Sequence, residues 1–500
     1  MSGTGVAFQQ IPQNFIPPLF YVEFNNTLAG EVGNAEQPAL IIGQATVAGL
    51  AEVPVLVPSV AFAMAMFGPN SQLARMADAY FKNDSIGPLY ALPLEDASGA
   101  AAAAGAVAFT GTATGAGSIF VYVNGRLIQV GVNVGDTAAV IAGNVAAAIN
   151  ALVLMPVSAV ATAGSVALTA VNKGLQGNNI NLGLNLLGVV GGQVLPAGVT
   201  CTITAMANGA LDPDLASVAA AIGDQPFDFI LHPYGESTQI GETTALMNDT
   251  SGRWAWNRQD YGGVFTATPG TISSLLTLGN TLNDQHTEVV GLVGYPPDPA
   301  YFIAAWGGAL AVSLRNLPSQ PLQSLDVEGV LGAQRANWLT LAQENTLYAA
   351  GIALPRSDQY GNVTVGQAVT TYKTNVYGQP DESYRYVSTL FTLMSITRTM
   401  KAALVTKFGR AIYVPNGTRT NPNVPAVTNN DIMAEIAAQY NLMQAQGLVV
   451  NAAAMLAATS VTADPNNPNR ANIIWRPELA NGLTMMAMIN QFVLNPAAAA

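Results

Sequence analysis

The chain has 500 residues, with 18 Lys and Arg against 30 Asp and Glu, a formal net charge of −12. Only 10% of the residues are charged, where a soluble domain ordinarily carries about 25%, so much of the roughly 17,000 Å² that a monomer of this mass would expose is left without charge. The acidic balance and scattered basic residues exclude direct nucleic-acid binding, which needs clustered Lys and Arg, and the single Cys201 excludes an intramolecular disulfide.

Residues 1–18 hold Pro12, Pro17 and Pro18 and no charge, and read as an extended arm. Neither a basic n-region nor an apolar h-region is visible at the start, so no signal peptide is expected. LFYVEF (Leu19 to Phe24) is a β-prone apolar run, and PALIIGQA (Pro38 to Ala45) reads as a buried strand. Ser59 is placed to cap a helix over VAFAMAMF that stops at Gly68-Pro69. A second helix is predicted from Ser71 to Lys82, then a strand over LYALPL (Leu89 to Leu94).

Between Ala97 and Leu211 only Arg126, Asp136 and Lys173 are charged, and Ala, Gly, Val, Thr and Asn dominate. Asn124-Gly125 between Ile119–Val123 and Leu127–Val132 is a strong hairpin signal. Asp136-Thr137 caps an Ala-rich helix to about Asn150, and Val166–Val171 and Val199–Thr204 read as strands. The apolar stretches here are not membrane spans. A spanning helix needs about 20 uninterrupted apolar residues, and Asn150, Pro156, Gly164, Asn178, Asn179 and Pro196 break them. The region reads as a mostly β domain inserted between two halves of something else.

From Leu211 helix and strand alternate. A helix is predicted from Asp212-Pro213 to Gly223, strands at FDFILHPY (Phe227 to Tyr234), YGGVFTAT (Tyr261 to Thr268) and TEVVGLVGY (Thr287 to Tyr295). Helices end at Met247, span Thr271 to Asn283, and run from Pro299 to Arg315. This order predicts a parallel sheet with right-handed crossovers. A helix from Glu328 to Ala349 and an alternating strand over Gly361 to Tyr372 follow.

A long amphipathic helix is predicted from Ser383 to Phe408, and another from an Asn430 N-cap to Gly447. The densest basic group, Arg398, Lys401, Lys407 and Arg410, lies on the first of these and reads as a solvated face or a partner-facing strip. The chain ends on LTMMAMINQFVL (Leu483 to Leu494), read as a strand apolar on both faces. A free strand of that kind is an aggregation hazard. Both end strands either complete their own sheets or add to a neighbouring subunit. For the second reading the residues that carry the exchange are Leu19, Phe20, Tyr21 and Val22 at one end. At the other they are Met485, Met486, Met488, Ile489, Phe492 and Val493.

An enzyme reading finds little. No GxxxxGK[ST] loop and no GxSxG elbow occurs. His232 at a strand end reads as a turn residue, His286 with Asp284 and Glu288 does not make a metal site, and Asp212 and Asp214 read as helix-start carboxylates. We therefore expect no catalytic, cofactor or metal residues.

SVAFAMAMFGPNSQLARMADAYFKNDSIGPLYALPL (Ser59 to Leu94), FDFILHPY, YGGVFTAT, VTVGQAVTTY, SYRYVSTLFTLMSITRTM (Ser383 to Met400) and DPNNPNR (Asp464 to Arg470) occur in this order. In that order and spacing they resemble the contractile tail sheath proteins, above all those of Mu-like phages. The resemblance covers almost everything outside 97–205. It implies an α/β multidomain fold in which a parallel-sheet core, called subtilisin-like in this family but here without a protease constellation, carries an inserted β domain. It also implies a C-terminal α+β domain with strand-exchange arms. The corresponding division is arm 1–18, core 19–96 and 206–372, insertion 97–205, C-terminal domain 373–482 and arm strand 483–500.

Such a protein would be a homo-oligomer in stacked rings around a tail tube protein, with baseplate and tail terminator partners. It would sit in the virion tail after assembly in the host cytoplasm, with no cofactor and no stable membrane insertion. Arg398, Lys401 and Lys407 are then expected to face the tube, and Gln13–Pro18, Gly30–Pro38 and Pro477–Gly482 to hinge. A surface adhesin or surface-layer protein, and less so a hydrolase, are the competing expectations.

Overall fold

The computed structural model describes residues 37–421 and 423–492. The expectations on residues 1–18, on Leu19 to Phe24 and on Val493 lie outside the described residues.

An eight-stranded sheet forms the centre, in the order Val363–Gln367, Ile352–Ser357, Thr287–Leu292, Gly263–Pro269, Phe229–His232, Ala39–Gln44, Leu89–Leu94, Val55–Leu56. The six inner strands are mutually parallel, and both edge strands are antiparallel. Ala39–Gln44 and Thr287–Leu292 are buried along their whole lengths, as apolar strands of a parallel sheet covered on both faces must be. The helices Gln72–Asn83 and Pro299–Asn316 cover one face, with Phe302, Trp306 and Leu310 fully buried. Ser237–Met247 and Ile272–Thr281 cover the other through Ile240, Met247 and Leu275.

Local chemistry explains the helix starts. Asp298 precedes Pro299 and accepts a hydrogen bond from the Tyr301 N–H at 2.9 Å, so proline occupies the first turn where its missing N–H costs nothing. The same carboxylate meets Arg75 of the neighbouring helix at 2.5 Å, with both side chains 5% exposed. At the other end of the pair Arg315 meets Asp84. Gly308 lets the two helices touch: a Cβ there would lie 2.9 Å from the Tyr80 carbonyl.

The central sheet is interrupted between Leu94 and Phe229. Most of that stretch builds two further sheets. One runs Val199–Ala207, Ala104–Gly111, Ser165–Ala170, Val157–Thr162; the other runs Arg126–Val132, Gly117–Val123, Leu182–Leu184. With the helix Ala138–Asn150 they enclose a separate cluster of buried apolar residues between Ala103 and Met206. Asn124 and Gly125 turn the hairpin with φ of 54° and 76°, the left-handed pair its two-residue turn requires. Uncharged polar contacts dock this unit on the centre. Asn124 accepts from the Asp298 N–H at 2.6 Å, Asn172 from the Gln72 N–H at 2.9 Å, and Gln44 donates to the Lys173 carbonyl at 2.7 Å.

The structure departs from the sequence expectations at several places. Strands Ala104–Gly111 and Val157–Thr162 were hidden by their Ala, Gly and Ser content. Asp212-Pro213 starts no helix; only Val218–Ile222 is helical. Asp212 instead accepts from Gln176 at 3.2 and 2.8 Å, fastening the returning chain. The helix expected from Glu328 begins at Leu341, behind a Thr340–Gln343 capping box. Residues 328–340 instead lie along the sheet edge, where the Gly332 N–H donates to the Gly361 carbonyl. The two C-terminal helices begin at Val387 and Asn429, the latter capped by Thr428 rather than Asn430. No described helix is long and apolar enough to cross a membrane.

Glu288 sits fully buried in the central sheet, with the Trp306 Nε1–H donating to Oε2 at 3.3 Å and Oε1 without a partner. Burial pushes its carboxyl up to about 8, against that single hydrogen bond.

Two outcomes follow from this packing. Asp298→Ala removes the helix cap and leaves Arg75 buried without its anion, and should cost about 3–5 kcal/mol in a denaturant titration. The folded state holds the Glu288 proton that the unfolded chain releases near the ordinary value of 4.5. Stability contributed by this group is therefore lost as pH rises from about 4.5 to about 8, by at most about 1.4 kcal/mol per pH unit. Glu288→Gln should remove that slope, read as the difference in unfolding free energy between variant and parent at pH 5 and pH 8.

Candidate functional site: the assembly surfaces

The titratable groups that a catalytic reading would use are sequestered. His232 is fully buried with neither ring nitrogen hydrogen-bonded, and burial pushes it down to about 3. It is a neutral core side chain against Tyr234, closed to substrate. His286 is also buried. Burial opposes its charge, but Asp249 and Asp284, at 3.3 and 3.2 Å, hold it above the ordinary histidine value. Asp284 also accepts from the Thr287 hydroxyl at 2.6 Å, so the cluster braces a loop. Burial pushes the Cys201 thiol up to about 11, which leaves it unreactive. Among the described residues no group of three His, Cys, Asp or Glu could hold a metal ion.

The basic group splits when folded. The helix Val387–Phe408 packs Phe391 flat on Phe229, with ring centroids 5.0 Å apart. About two turns further on, Arg398 turns inward, 2.5 Å from Asp228, and also donates to the Tyr261 carbonyl at 2.8 Å. Its charge joins the helix to the sheet and is not part of a solvated strip. Lys401 is exposed and donates to Gln259 at 2.6 Å, while Lys407 is exposed and pairs with Glu435. Arg410 is exposed beyond them.

The C-terminal segment is the most unusual surface. Glu478–Leu479 pairs antiparallel with Val449–Val450, and the Tyr440 hydroxyl braces both by accepting from the Glu478 N–H and donating to the Val450 carbonyl. The Ala480 N–H still donates to the Leu448 carbonyl. The proposed hinge Pro477–Gly482 is thus held by a ladder in its first half. Gly482 then passes so close to Pro321 that a Cβ would lie 2.6 Å from the ring. Beyond it, the strand expected from Leu483 is not formed, because no described strand of the subunit lies beside it. Through 492 there is no regular structure, and Met485, Met486, Met488, Ile489 and Phe492 are 77–88% exposed. Among the described residues, the two-stranded sheet beside it has no further strand at either outer edge. The apolar tail was legible in the sequence; these open edges were not, since strands of two residues carry no periodic signal.

Residues 208–371 match the phage tail sheath protein central domain. The chain is 32% identical, over 98% of its length and all of the relative's, to the Mu-like prophage FluMu tail sheath protein of Haemophilus influenzae. Its fold is similar to that of a chain in the anti-feeding prophage helical sheath in the contracted state, with a TM-score of 0.50 at 12% identity, covering 96% of this chain and 100% of that one. A chain of the anti-feeding prophage baseplate gives the same TM-score and coverages at 13% identity. Similarity to a tail sheath protein along nearly the whole length shows that the chain belongs to the phage tail sheath family, as a structural subunit of a contractile sheath and not an enzyme.

Proposed function

We propose that copies of this chain stack in rings around a tail tube and that the lattice shortens to drive the tube through the host envelope. The observation that carries this reading is the exposed apolar segment 483–492, with no described strand beside it, next to a small sheet whose two edges are open among the described residues. A strand added by a neighbour supplies backbone hydrogen bonds to such an edge and covers the exposed methionines. Leu19, Phe20, Tyr21 and Val22 would do the same from the N-terminal arm, and Val493 would extend the C-terminal one.

The division into core 19–96 and 206–372, insertion 97–205, C-terminal domain 373–482 and arms 1–18 and 483–500 belongs to the same proposal. The core and the docked insertion move as one body, and the arms bend where they leave it. The free energy lies in the difference between two sets of interfaces, and no nucleotide takes part. In this arrangement the C-terminal domain faces the tube. Lys401 and Lys407 lie on the exposed side of their helix, while Arg398 contributes by holding that helix to the core. The insertion faces outward. Baseplate and terminator proteins would close the two ends of the sheath in a virion tail assembled in the host cytoplasm.

Electron microscopy of the purified chain should show long hollow tubes. Deleting residues 484–500 should abolish them, because the exchanged strand is gone, while circular dichroism and sedimentation report a folded monomer. Tubes of unchanged length from the truncated chain would remove the strand-exchange reading.

A further inference from the structure

Outside the arms, the surface carries a rigid hairpin with an apolar tip. The chain between Thr374 and Pro380 forms a tight hairpin with Val376 and Tyr377 at its tip, 93% and 85% exposed. Its shape is set from inside. The Asn375 side chain accepts from the Tyr377 and Gln379 N–H groups at 3.0 and 3.1 Å, and the Asn375 N–H donates to the Gln379 carbonyl at 2.9 Å. Gly378 takes a φ of 73° that lets the turn close. The base is fixed as well: Asn283 accepts from the Lys373 and Thr374 N–H groups at 2.7 and 3.0 Å and donates to the Thr374 carbonyl at 2.9 Å. A loop held this firmly loses little entropy on binding, and an exposed aromatic on it is the residue type that anchors interfaces.

The molecule also carries an open cavity with a volume of about 580 Å³. Ile86, Pro88 and Val312 form its apolar wall, Gln37, Asn83, Ser85 and Asn316 supply polar groups, and the Asp84–Arg315 pair lies in its lining. Ile86 is 95% exposed at its mouth. Val376 and the Tyr377 ring match the apolar wall, and the Tyr377 hydroxyl matches the amides.

Both features lie on the rim where the parallel strands begin. The cavity sits beside the starts of Ala39–Gln44 and Leu89–Leu94; the knob is anchored on Asn283, just before Thr287–Leu292. Two strands separate these regions, so knob and cavity stand roughly 15–25 Å apart along the sheet at about 4.8 Å per strand. A knob on one flank cannot fill the cavity on the other flank of its own chain. It can fill the cavity of a copy placed beside it, which is a heterologous, propagating contact.

We propose that the occupant of the cavity is the Val376–Tyr377 knob of a second copy of this chain, a side-to-side joint independent of the arms. This rests on the homopolymer reading above. The test uses the full chain with Cys201→Ser and pairs of cysteines. Tyr377→Cys and Ile86→Cys chains are co-assembled, checked for tubes by electron microscopy, oxidised and run on a non-reducing gel.

A covalent dimer in the mixture and not in either chain alone, with a ladder of higher multimers when one chain carries both cysteines, is the expected result. Tubes without that cross-link overturn the joint while leaving the sheath reading intact. Tubes in which Ile86→Cys cross-links to Phe492→Cys instead also overturn it, since the cavity then belongs to the tail. Absence of tubes even from the parent chain removes the sheath reading, and this joint with it.

Discussion

The fold depends on one strand, Ala39–Gln44, pairing on both sides with segments far away in sequence. On one side it takes Leu89–Leu94, and on the other Phe229–His232, which follows the whole insertion. Each of its residues is buried, so the pairing cannot be released without exposing apolar surface on both faces of the sheet. This seam makes a single core out of two separated stretches and lets the intervening residues leave and return on the two strands that flank it. The loop-closure cost grows only slowly with the length inserted, so an added unit of this size is tolerated once the seam is formed.

With so few charges, their placement is informative. Three of the arginines are used as fasteners between elements. Arg75–Asp298 and Arg315–Asp84 pin the same two helices at opposite ends, and Arg398–Asp228 pins the long C-terminal helix to the first residues of a central strand. Asp84 also accepts from the Tyr80 hydroxyl at 2.7 Å and from the Gly87 N–H at 2.9 Å, so its charge is satisfied on several sides. Breaking such a pair leaves a stranded charge, which makes these joints sharp: they are formed or the element detaches. A body fastened this way suits a subunit that is moved by its neighbours.

The surface left over is correspondingly uncharged. The insertion docks through asparagine and glutamine side chains that accept and donate to backbone groups, contacts that carry direction but little long-range field. Chains with a net charge of −12 repel one another, and the places where they can approach closely are the uncharged ones. The apolar tail and the Val376–Tyr377 hairpin are both of this kind.

The sequence by itself determined the alternation of helix and strand in the core, the Asn124-Gly125 hairpin, the helix starts at Ser59, Thr271 and Pro299 and the apolar character of the last residues. Each of these is set by neighbours within a few positions: periodicity, a cap or a turn dipeptide. Only the tertiary structure decided that Arg398 points inward, that Asp212 holds a returning loop instead of starting a helix, and that the segment from Gly482 to 492 has no described strand beside it. Those outcomes hang on partners 170, 36 and 161 positions away for Arg398–Asp228, Asp212–Gln176 and Gly482–Pro321. Side chains so distant in sequence meet only after the sheet has brought them together.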